Sequence, residues 1–291
     1  MRHEDLVDAD CGIAQALGIV GDWWSWLIVR DIAGGATRFD QLQQSLGISR
    51  RALAERLSAL TEHGVLRKAP YSQHPPRFDY LLTSRGEGLL PVLIAMQEFG
   101  DRHALGDGSV TATAASGSPE AERVHRLTGH VLPDLRLPAH DGSQATLRET
   151  GRWRVLYCFP GAFAPGLQGH PPGWGEIPGA AGCTLESTTY AARHEDFQSL
   201  GCDVLGISTQ RPDQQAAFAV HARLPFRLLS DQDGQLAAAL RLPMFRAAGT
   251  DRLKRQSFLA DPTGQIRFVQ FPITDPADSV TDMLTALREQ R

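Results

Sequence analysis

The chain has 291 residues, a formal net charge of −4, 42% hydrophobic and 21% charged residues. This is the balance of a globular protein with room for two domains. No apolar run of about 18 residues occurs, and the acidic start MRHEDLVDAD lacks the apolar stretch of a secretory signal. We therefore expect a cytoplasmic protein with no membrane partner. The four cysteines lack CxxC spacing and histidine partners, so neither a metal nor a cofactor is predicted.

The first third of the chain is mostly helical by its apolar spacing and its glycine stops. Ser49 is placed to cap the fourth helix, and the proline-rich SQHPP marks the tip of a hairpin. The last helix is apolar almost all round, so it needs partners on more than one side. In chain order the predicted elements are the helices Cys11–Val20, Trp24–Ala33, Arg38–Leu46 and Arg50–His63, the hairpin Val65–Thr83, and the helix Gly86–Phe99.

Two short helices joined by a glycine turn and followed by a hairpin predict a winged helix-turn-helix. The helix Arg50–His63 would lie in the major groove, and the hairpin would meet the backbone or the minor groove. The segment from Arg38 to Arg77 contains seven basic and three acidic residues, which gives it a local charge of +4 in an acidic protein. The alternative is a small helical domain with a solvated basic face. The candidate DNA-binding residues are Arg38, Ser49, Arg50, Arg51, Glu55, Arg56, Lys68, Tyr71 and Arg77.

Residues 8–103 resemble the HxlR family of MarR-related regulators through GDWWSWLIVRDI, TRFDQLQQSLGISRRALAERLSALTEHGVL and the wing PYSQHPPRFDYLLTSRG. The resemblance implies double-stranded DNA as partner and a homodimer with the first and last apolar helices in the interface. A symmetric dimer in turn implies a palindromic operator. Cys11 lies where some members carry a redox-sensing thiol. Its alternative role is packing at the start of a helix.

A stretch rich in glycine, serine, alanine and threonine, ALGDGSVTATAASGSPEAE, predicts a linker. We assign residues 1–103 to the winged helix, 104–126 to the linker and 127–291 to a second domain. There, buried strands alternate with helices, which predicts an α/β domain with a central, mainly parallel sheet covered on both faces. The predicted strands are Trp153–Phe159, Val204–Ser208, Phe226–Leu229, Ser257–Ala260 and Ile266–Phe271, and the helices are Thr184–Leu200, Pro212–Ala222 and Gln235–Leu240.

Cys183 follows the glycine-rich IPGAAG and precedes a helix-forming run, which places its sulfur at a helix N-terminus. The helix dipole and the free N–H groups there favour a thiolate, so we expect a lowered pKa and a nucleophilic sulfur. Arg255, at the start of a strand, is a residue type that would further favour the thiolate and orient a peroxide. The alternative is an inert structural cysteine.

Residues 127–290 resemble the redoxin/peroxiredoxin group with its thioredoxin fold, nearest to the bacterioferritin-comigratory type. The pieces that match are LPDLRLPAHDGSQATL, RWRVLYCFPG, GCT, GCDVLGIST, LPFRLLSDQDGQLAAALRL and RQSFLADPTGQIRFV. The resemblance implies that Cys183 is the peroxidatic cysteine, Arg255 the strand arginine and a peroxide the substrate.

Three departures from the family pattern bear on turnover. Ala180 stands where a hydroxyl residue usually precedes the thiol. Our candidates to supply that hydroxyl are Thr184 or one of Ser187, Thr188 and Thr189. Thr188 replaces the frequent resolving cysteine, so an external thiol would have to act as reductant. An extra loop, Ala164–Pro178, contains His170 and Trp174 and is either a lid or a surface excursion.

The other cysteines have weaker assignments. Cys158, inside a predicted strand, is expected to pack in the core. Cys202, at a helix–strand turn, is either a packing residue or a resolving one.

The sequence thus predicts a redox-responsive transcriptional regulator that senses oxidant through Cys183, with Cys11 as a possible second sensor. The first alternative is a one-cysteine thiol peroxidase that carries a DNA-binding domain. The second is a thioredoxin-fold effector domain that binds a ligand without redox chemistry.

Overall fold

A computed structural model describes residues 10–149, 151–166 and 169–291. Contacts among the described residues divide them into two compact units, one that ends at residue 93 and one that begins at residue 94. None of the described helices has the length and apolar character that a membrane span requires.

The first unit is a winged helix-turn-helix, as predicted. Its core consists of apolar side chains from the helices and the first strand, including Ile28, Leu42, Leu53 and Leu60. The helices are α1 (Gly12–Val20), α2 (Trp23–Ala33), α3 (Phe39–Leu46) and α4 (Arg50–Glu62), followed by the strands β1 (Leu66–Gln73) and β2 (Pro76–Leu82). The two strands form the antiparallel wing.

The predicted last helix, Gly86–Phe99, is divided into α5 (Ser84–Glu87) and α6 (Leu90–Phe99), followed by a π-helical turn at Gly100–Ala104. The first break has a local cause. Gly88 caps α5 at its C-terminus, and Pro91 is tolerated only in the first turn of a helix, so the chain restarts there.

The segment predicted as a linker carries regular structure. Helix α7 (Pro119–His125) begins there, because Ser118 accepts the N–H of Ala121, Pro119 occupies the first turn and two glutamates lie near its N-terminus. Ala112 is fully buried. Small residues are common in flexible linkers, but they also fill tightly packed positions. Composition alone therefore does not distinguish a linker from this packed segment. The assignment of residues 1–103 and 127–291 to two functional domains stays a prediction.

The second unit is an α/β thioredoxin-like domain around a five-stranded sheet of order β11-β10-β5-β6-β7. The strands β5 (Trp153–Cys158), β6 (Cys202–Ser208) and β7 (Leu228–Ser230) are parallel to one another, whereas β10 (Gln256–Ala260) is antiparallel to both of its neighbours, β5 and β11 (Ile266–Gln270). The sheet is therefore mixed, with four strands in one direction, as a mainly parallel sheet requires, and β10 in the opposite one. Strand direction depends on how the chain connects successive strands. The pattern of buried runs contains no information about these connections.

Helices cover both faces of this sheet, as predicted. Tyr157 on β5 packs in one apolar cluster and Leu156 in the other, as alternation along a strand requires. The predicted helix Thr184–Leu200 is two helices. The helices are α8 (Cys183–Ala192), α9 (His194–Ser199), α10 (Pro212–Ala222), α11 (Gln235–Leu240) and α12 (Asp278–Glu289), and two short hairpins, β3 (Arg136–Pro138) with β4 (Gln144–Thr146) and β8 (Met244–Ala247) with β9 (Thr250–Leu253), complete the unit.

Candidate functional site

Cys183 is the first residue of α8, at the helix N-terminus that the sequence predicted. Gly182 caps the helix with φ +97°. A Cβ at Gly182 would lie 2.6 Å from Cγ of Pro276, so both the backbone angle and the available space require glycine there. This turn delivers the sulfur to the interior, where Cys183 is only 3% exposed.

Arg255 reaches the sulfur from the residue before β10. Its Nη2 lies 3.3 Å from Sγ of Cys183 and also donates to the carbonyl of Ala181 at 2.8 Å. The side chain is 1% exposed. One guanidinium therefore fixes both the sulfur and the loop that carries it, which is the pairing expected from the sequence.

Glu186 is a part of this site that the sequence reasoning missed. It lies one turn after Cys183 on the same face of α8, is fully buried, and forms an ion pair with Nη1 of Arg255. Burial raises the pKa of Glu186 to about 7, and Arg255 opposes that rise. The i,i+3 spacing from Cys183 was the available signal.

The electrostatics of the sulfur differ from our expectation. Burial raises the pKa of the Cys183 thiol above its ordinary value. Arg255 and the N–H of Gly161 act to lower it, while Glu186 acts to raise it. The expected lowered pKa is thus wrong for this structure, because the thiol is desolvated and Glu186 offsets the charge of Arg255. The helix N-terminus alone did not allow either effect to be foreseen.

No replacement for the missing hydroxyl reaches the sulfur among the described residues. Ala180 is buried, and its carbonyl accepts from Sγ at 3.5 Å. Thr184 is exposed, so this candidate does not face the thiol. Thr188 and Thr189 donate to carbonyls of their own helix, and Ser187 accepts the hydroxyl of Tyr157 at 3.1 Å.

The remaining cysteines lie away from this thiol. Cys202 is fully buried and pairs in register with Trp153 at the start of β5, whereas Gly161 near the sulfur follows the end of that strand. Five strand residues span about 17 Å. Burial raises the pKa of Cys202 to about 12. Cys158 is buried in β5 and Cys11 is half-buried before α1, and all four thiols are free.

The extra loop brings an aromatic group over a second arginine. Trp174 is 5% exposed and stacks with His170, and Phe163 meets both rings edge-on. The guanidinium of Arg252 lies 5.0 Å from the ring centre of Trp174 and 5.8 Å from that of Phe163. The loop therefore packs within the second unit, and this cluster was not foreseen.

A short connector, residues 110–113, contacts both sides of the thiol site. The N–H of Ala112 donates to the carbonyl of Pro178 at 2.8 Å, in the loop before Cys183, and the carbonyl of Ala112 accepts the N–H of Arg255 at 3.2 Å. Lys254 donates to the carbonyl of Thr113 at 3.2 Å. The segment predicted as a linker is thus hydrogen-bonded to the thiol loop and to the arginine strand.

In the first unit, the N-terminus of α4 presents the expected basic surface. Ser49 caps the helix by accepting the N–H of Ala52. The Arg51 side chain is 90% exposed and pairs with Glu55, and Arg50 lies near Asp40 and the ring of Phe39. Arg56 differs from these, because it is half-buried and pairs with Asp22 at 3.4 Å. Arg56 thus links α4 to α2.

The wing carries the other candidates. Arg38, which precedes α3, lies over the ring of Tyr71 at 4.3 Å and pairs with Asp79 of β2. The amino group of Lys68 is 5.8 Å from the rings of Phe78 and Tyr80. Arg77 is exposed on β2. The structure thus gathers Arg38, Lys68, Tyr71 and Arg77 on or beside the hairpin.

Comparison with known proteins finds a different family for each half of the chain. The model of the HxlR-like helix-turn-helix matches residues 19–106 and that of the AhpC/TSA family matches residues 177–269. An uncharacterized HTH-type transcriptional regulator of Mycobacterium tuberculosis is 34% identical over 136 residues, covering 47% of this chain and 80% of that protein. Peroxiredoxin Bcp of Escherichia coli is 32% identical over 145 residues, covering 48% and 83%. The crystal structure of peroxidoxin BcpB from Mycobacterium tuberculosis is 26% identical with a TM-score of 0.47, covering 56% of this chain and 97% of that one.

Proposed function

Since the chain belongs to the HxlR-like helix-turn-helix family in its N-terminal part and to the AhpC/TSA family in its C-terminal part, we propose that it is a redox-responsive, DNA-binding regulator that senses oxidant through Cys183. The observation that carries the proposal is the 3.3 Å contact between Arg255 and Cys183 at the start of α8. A regulator acts where the DNA is, so we place it in the cytoplasm.

The chemistry is a two-electron oxidation of the sulfur. The Cys183 thiolate attacks the terminal peroxide oxygen, an S–O bond forms and the O–O bond breaks. The sulfur becomes a sulfenic acid, and the leaving oxygen takes a proton to depart as water or an alcohol. Arg255, whose N–H groups already point at Sγ, stabilises the thiolate and the developing charge on the peroxide.

Three features favour a sensor over a fast peroxidase. Burial keeps the thiol protonated at neutral pH, because its pKa is raised. Ala180 offers no hydroxyl to the peroxide, and Thr188 stands where a resolving cysteine is frequent. Loss of such groups costs a few kcal/mol of transition-state stabilisation, or orders of magnitude in rate. A sensor needs only one oxidation event per signal.

The connector supports a route from the thiol to the DNA-binding unit. Pro178, which accepts the N–H of Ala112, precedes Cys183 by five residues. A sulfenic acid is larger than a thiol and does not fit a 3%-exposed position without movement of its loop. Such movement would break the bond to Ala112 and free the connector, which leads back along the chain to α6.

The DNA half of the proposal rests on the surface of α4 and the wing, with a palindromic operator as partner. We propose a homodimer formed through apolar helices. On α1, Ile13 is 74% and Leu17 is 50% exposed, and on α6 Met96 is 48% exposed. Apolar side chains left exposed on helices are typical of an interface. Sedimentation equilibrium of the whole protein should give twice the chain mass, and a monomer would reject this part.

The sensing thiol is tested by mass spectrometry of all four cysteines after one equivalent of hydrogen peroxide. We expect Cys183 to be oxidised first. Oxidation of Cys11 or Cys202 ahead of Cys183 would reject the assignment.

The alternative, a one-cysteine thiol peroxidase, is favoured by the same Arg255–Cys183 contact. It requires an external thiol reductant, and steady-state turnover with thioredoxin or dithiothreitol decides it. Turnover at the uncatalysed rate rejects the enzyme and leaves the sensor.

The ligand-binding effector is favoured by the burial of Cys183. It predicts that the thiol of the native protein resists alkylation by iodoacetamide, whereas the sensor predicts that it reacts.

A further inference from the structure

Arg252 is a buried cation that pairs with no carboxylate in the part of the chain that the structure describes. It lies on β9, where it pairs in register with Phe245, and it is 7% exposed. Its Nη1 donates to the carbonyl of Pro160 at 3.3 Å, but its Nε has no acceptor and no carboxylate of the described residues pairs with it. An isolated buried charge is strongly unfavourable, so its retention requires compensation.

Part of that compensation comes from the extra loop. The faces of Trp174 and Phe163, 5.0 and 5.8 Å from the guanidinium carbon, attract the cation through their π-electrons. These contacts do not satisfy Nε, which needs an acceptor. The loop therefore holds the guanidinium in place and leaves part of its hydrogen-bonding capacity free.

The guanidinium also lies near the residues that surround the sulfur. Nη1 of Arg252 lies 3.0 Å from the position of a Cβ on Gly161, and the N–H of Gly161 is near enough to Cys183 to act to lower the pKa of its thiol. Burial lowers the pKa of Arg252, and the charge of a Cys183 thiolate opposes that lowering. Arg255 thus contacts the sulfur directly, and Arg252 lies beside the Pro160–Gly161 segment next to it. Glu186 neutralises Arg255, whereas nothing among the described residues neutralises Arg252.

We propose that Arg252 is a specificity residue that gives the Cys183 site a preference for oxidants that carry a negative charge, by binding the anionic part of the oxidant next to the sulfur. This inference rests on the proposed reactivity of Cys183. It adds that the loop containing Trp174 serves to hold Arg252 there.

Peroxymonosulfate is a suitable probe, because it is a singly charged peroxide. The Cys183 thiolate attacks its outer oxygen, the S–O bond forms and the O–O bond breaks. The sulfur is oxidised to a sulfenic acid and sulfate leaves with both negative charges. Hydrogen peroxide undergoes the same step with hydroxide as the leaving group. The two oxidants therefore differ in charge, because peroxymonosulfate carries a negative charge that Arg252 would contact and hydrogen peroxide is neutral.

The test measures rate constants of Cys183 oxidation by both oxidants in the whole protein and in the variants Arg252→Met and Arg252→Lys. Loss of a nearby cation lowers the thiolate population for both oxidants alike, so the ratio of the two rate constants is the readout. We expect that ratio to fall by about tenfold or more in Arg252→Met and to be largely kept in Arg252→Lys. Arg246→Met, on the same hairpin but exposed and paired with Asp251, is the matched control and should leave the ratio unchanged.

A second measurement needs no variant. Iodoacetate and iodoacetamide alkylate thiolates by the same displacement, but only the first is charged. We expect their rate ratio at Cys183 to exceed that of free cysteine by about tenfold. A ratio at or below that of free cysteine, or an unchanged oxidant ratio in Arg252→Met, would overturn the inference while leaving the sensor intact. A Cys183 that reacts with no oxidant would overturn both.

Discussion

At the scale of single residues, the reactivity of Cys183 depends on a balance that its position in the sequence only partly reveals. The helix N-terminus and Arg255 favour the thiolate, and burial and Glu186 oppose it. The glycines, the thiol and the arginine were predictable because local sequence defines the turn and the strand. The net direction of the pKa was not, because desolvation arises from side chains distant along the chain, such as Tyr157 and Phe159.

Replacement of Glu186 tests this balance through pH. Burial raises the pKa of Glu186 to about 7, so its carboxylate gains negative charge as the pH rises through neutrality and then disfavours the thiolate. In Glu186→Gln this opposition is absent. We expect the oxidation rate constant of the variant, divided by that of the unsubstituted protein, to increase between about pH 6 and about pH 8. Glu195→Gln, an exposed glutamate of α9, is the control and should give a flat ratio.

The missing hydroxyl gives a prediction of gained function. Ala180 is buried in the thiol loop, three residues before Cys183, and its backbone carbonyl lies 3.5 Å from Sγ, so Ala180→Thr returns a hydroxyl to the position where the family pattern has one. We expect peroxide to oxidise Cys183 about tenfold faster in this variant. Stopped-flow tryptophan fluorescence measures the rate. A rate no higher than before, in a protein of unchanged thermal stability, would mean that a hydroxyl at this position does not limit the reaction.

At the scale of elements, the connector is the feature whose structure was predicted wrongly from composition. The same small residues that suggest flexibility let residues 110–113 approach the thiol loop closely. Helices with strong capping signals, such as α10, matched their predicted bounds, whereas the polarity of β10 and the split of the last apolar helix did not follow from periodicity. Pairing across the sheet and close backbone contacts are non-local and leave no periodic signal.

Gly179→Ala tests the connector. Gly179 has φ +78°, and an added Cβ would lie 2.9 Å from Cβ of Thr113, so the substitution pushes the connector from the thiol loop. We expect the reduced variant to bind its operator as the oxidised protein does. Gly166→Ala is a matched control, because Gly166 has φ +79° and nothing within 4 Å of the added Cβ. Equal behaviour of the two variants would exclude the connector from signalling.

Helix α4 makes a separate prediction about DNA. Arg51 is the exposed arginine at its N-terminus, and its pairing with Glu55 is too exposed to hold it back from a phosphate. We expect Arg51→Ala to weaken operator binding and to reduce the slope of log affinity against log salt by about one. Fluorescence anisotropy across a salt series measures both. Arg288→Ala, on α12 of the second unit, should change neither value.

At the scale of the whole molecule, the chain unites an HxlR-like helix-turn-helix with a peroxiredoxin-like α/β unit whose thiol is buried beside an arginine. The two families were recognisable because their anchored motifs survive in order along the sequence. A route of communication between the domains could not be predicted from the sequence. The contacts that suggest it join the connector to Pro178 and Arg255, which are far from it along the chain. Coupling free energies between sites are typically 1–3 kcal/mol, or roughly 5- to 150-fold in affinity.

The central claim is that oxidation of Cys183 changes operator affinity. The most direct test is fluorescence anisotropy with a duplex selected from a random library by the reduced protein, before and after treatment with one equivalent of peroxide. We predict a change of about fivefold or more in the unsubstituted protein, the same change in Cys11→Ser and Cys202→Ser, and none in Cys183→Ser. An oxidant response that persists in Cys183→Ser would contradict the account.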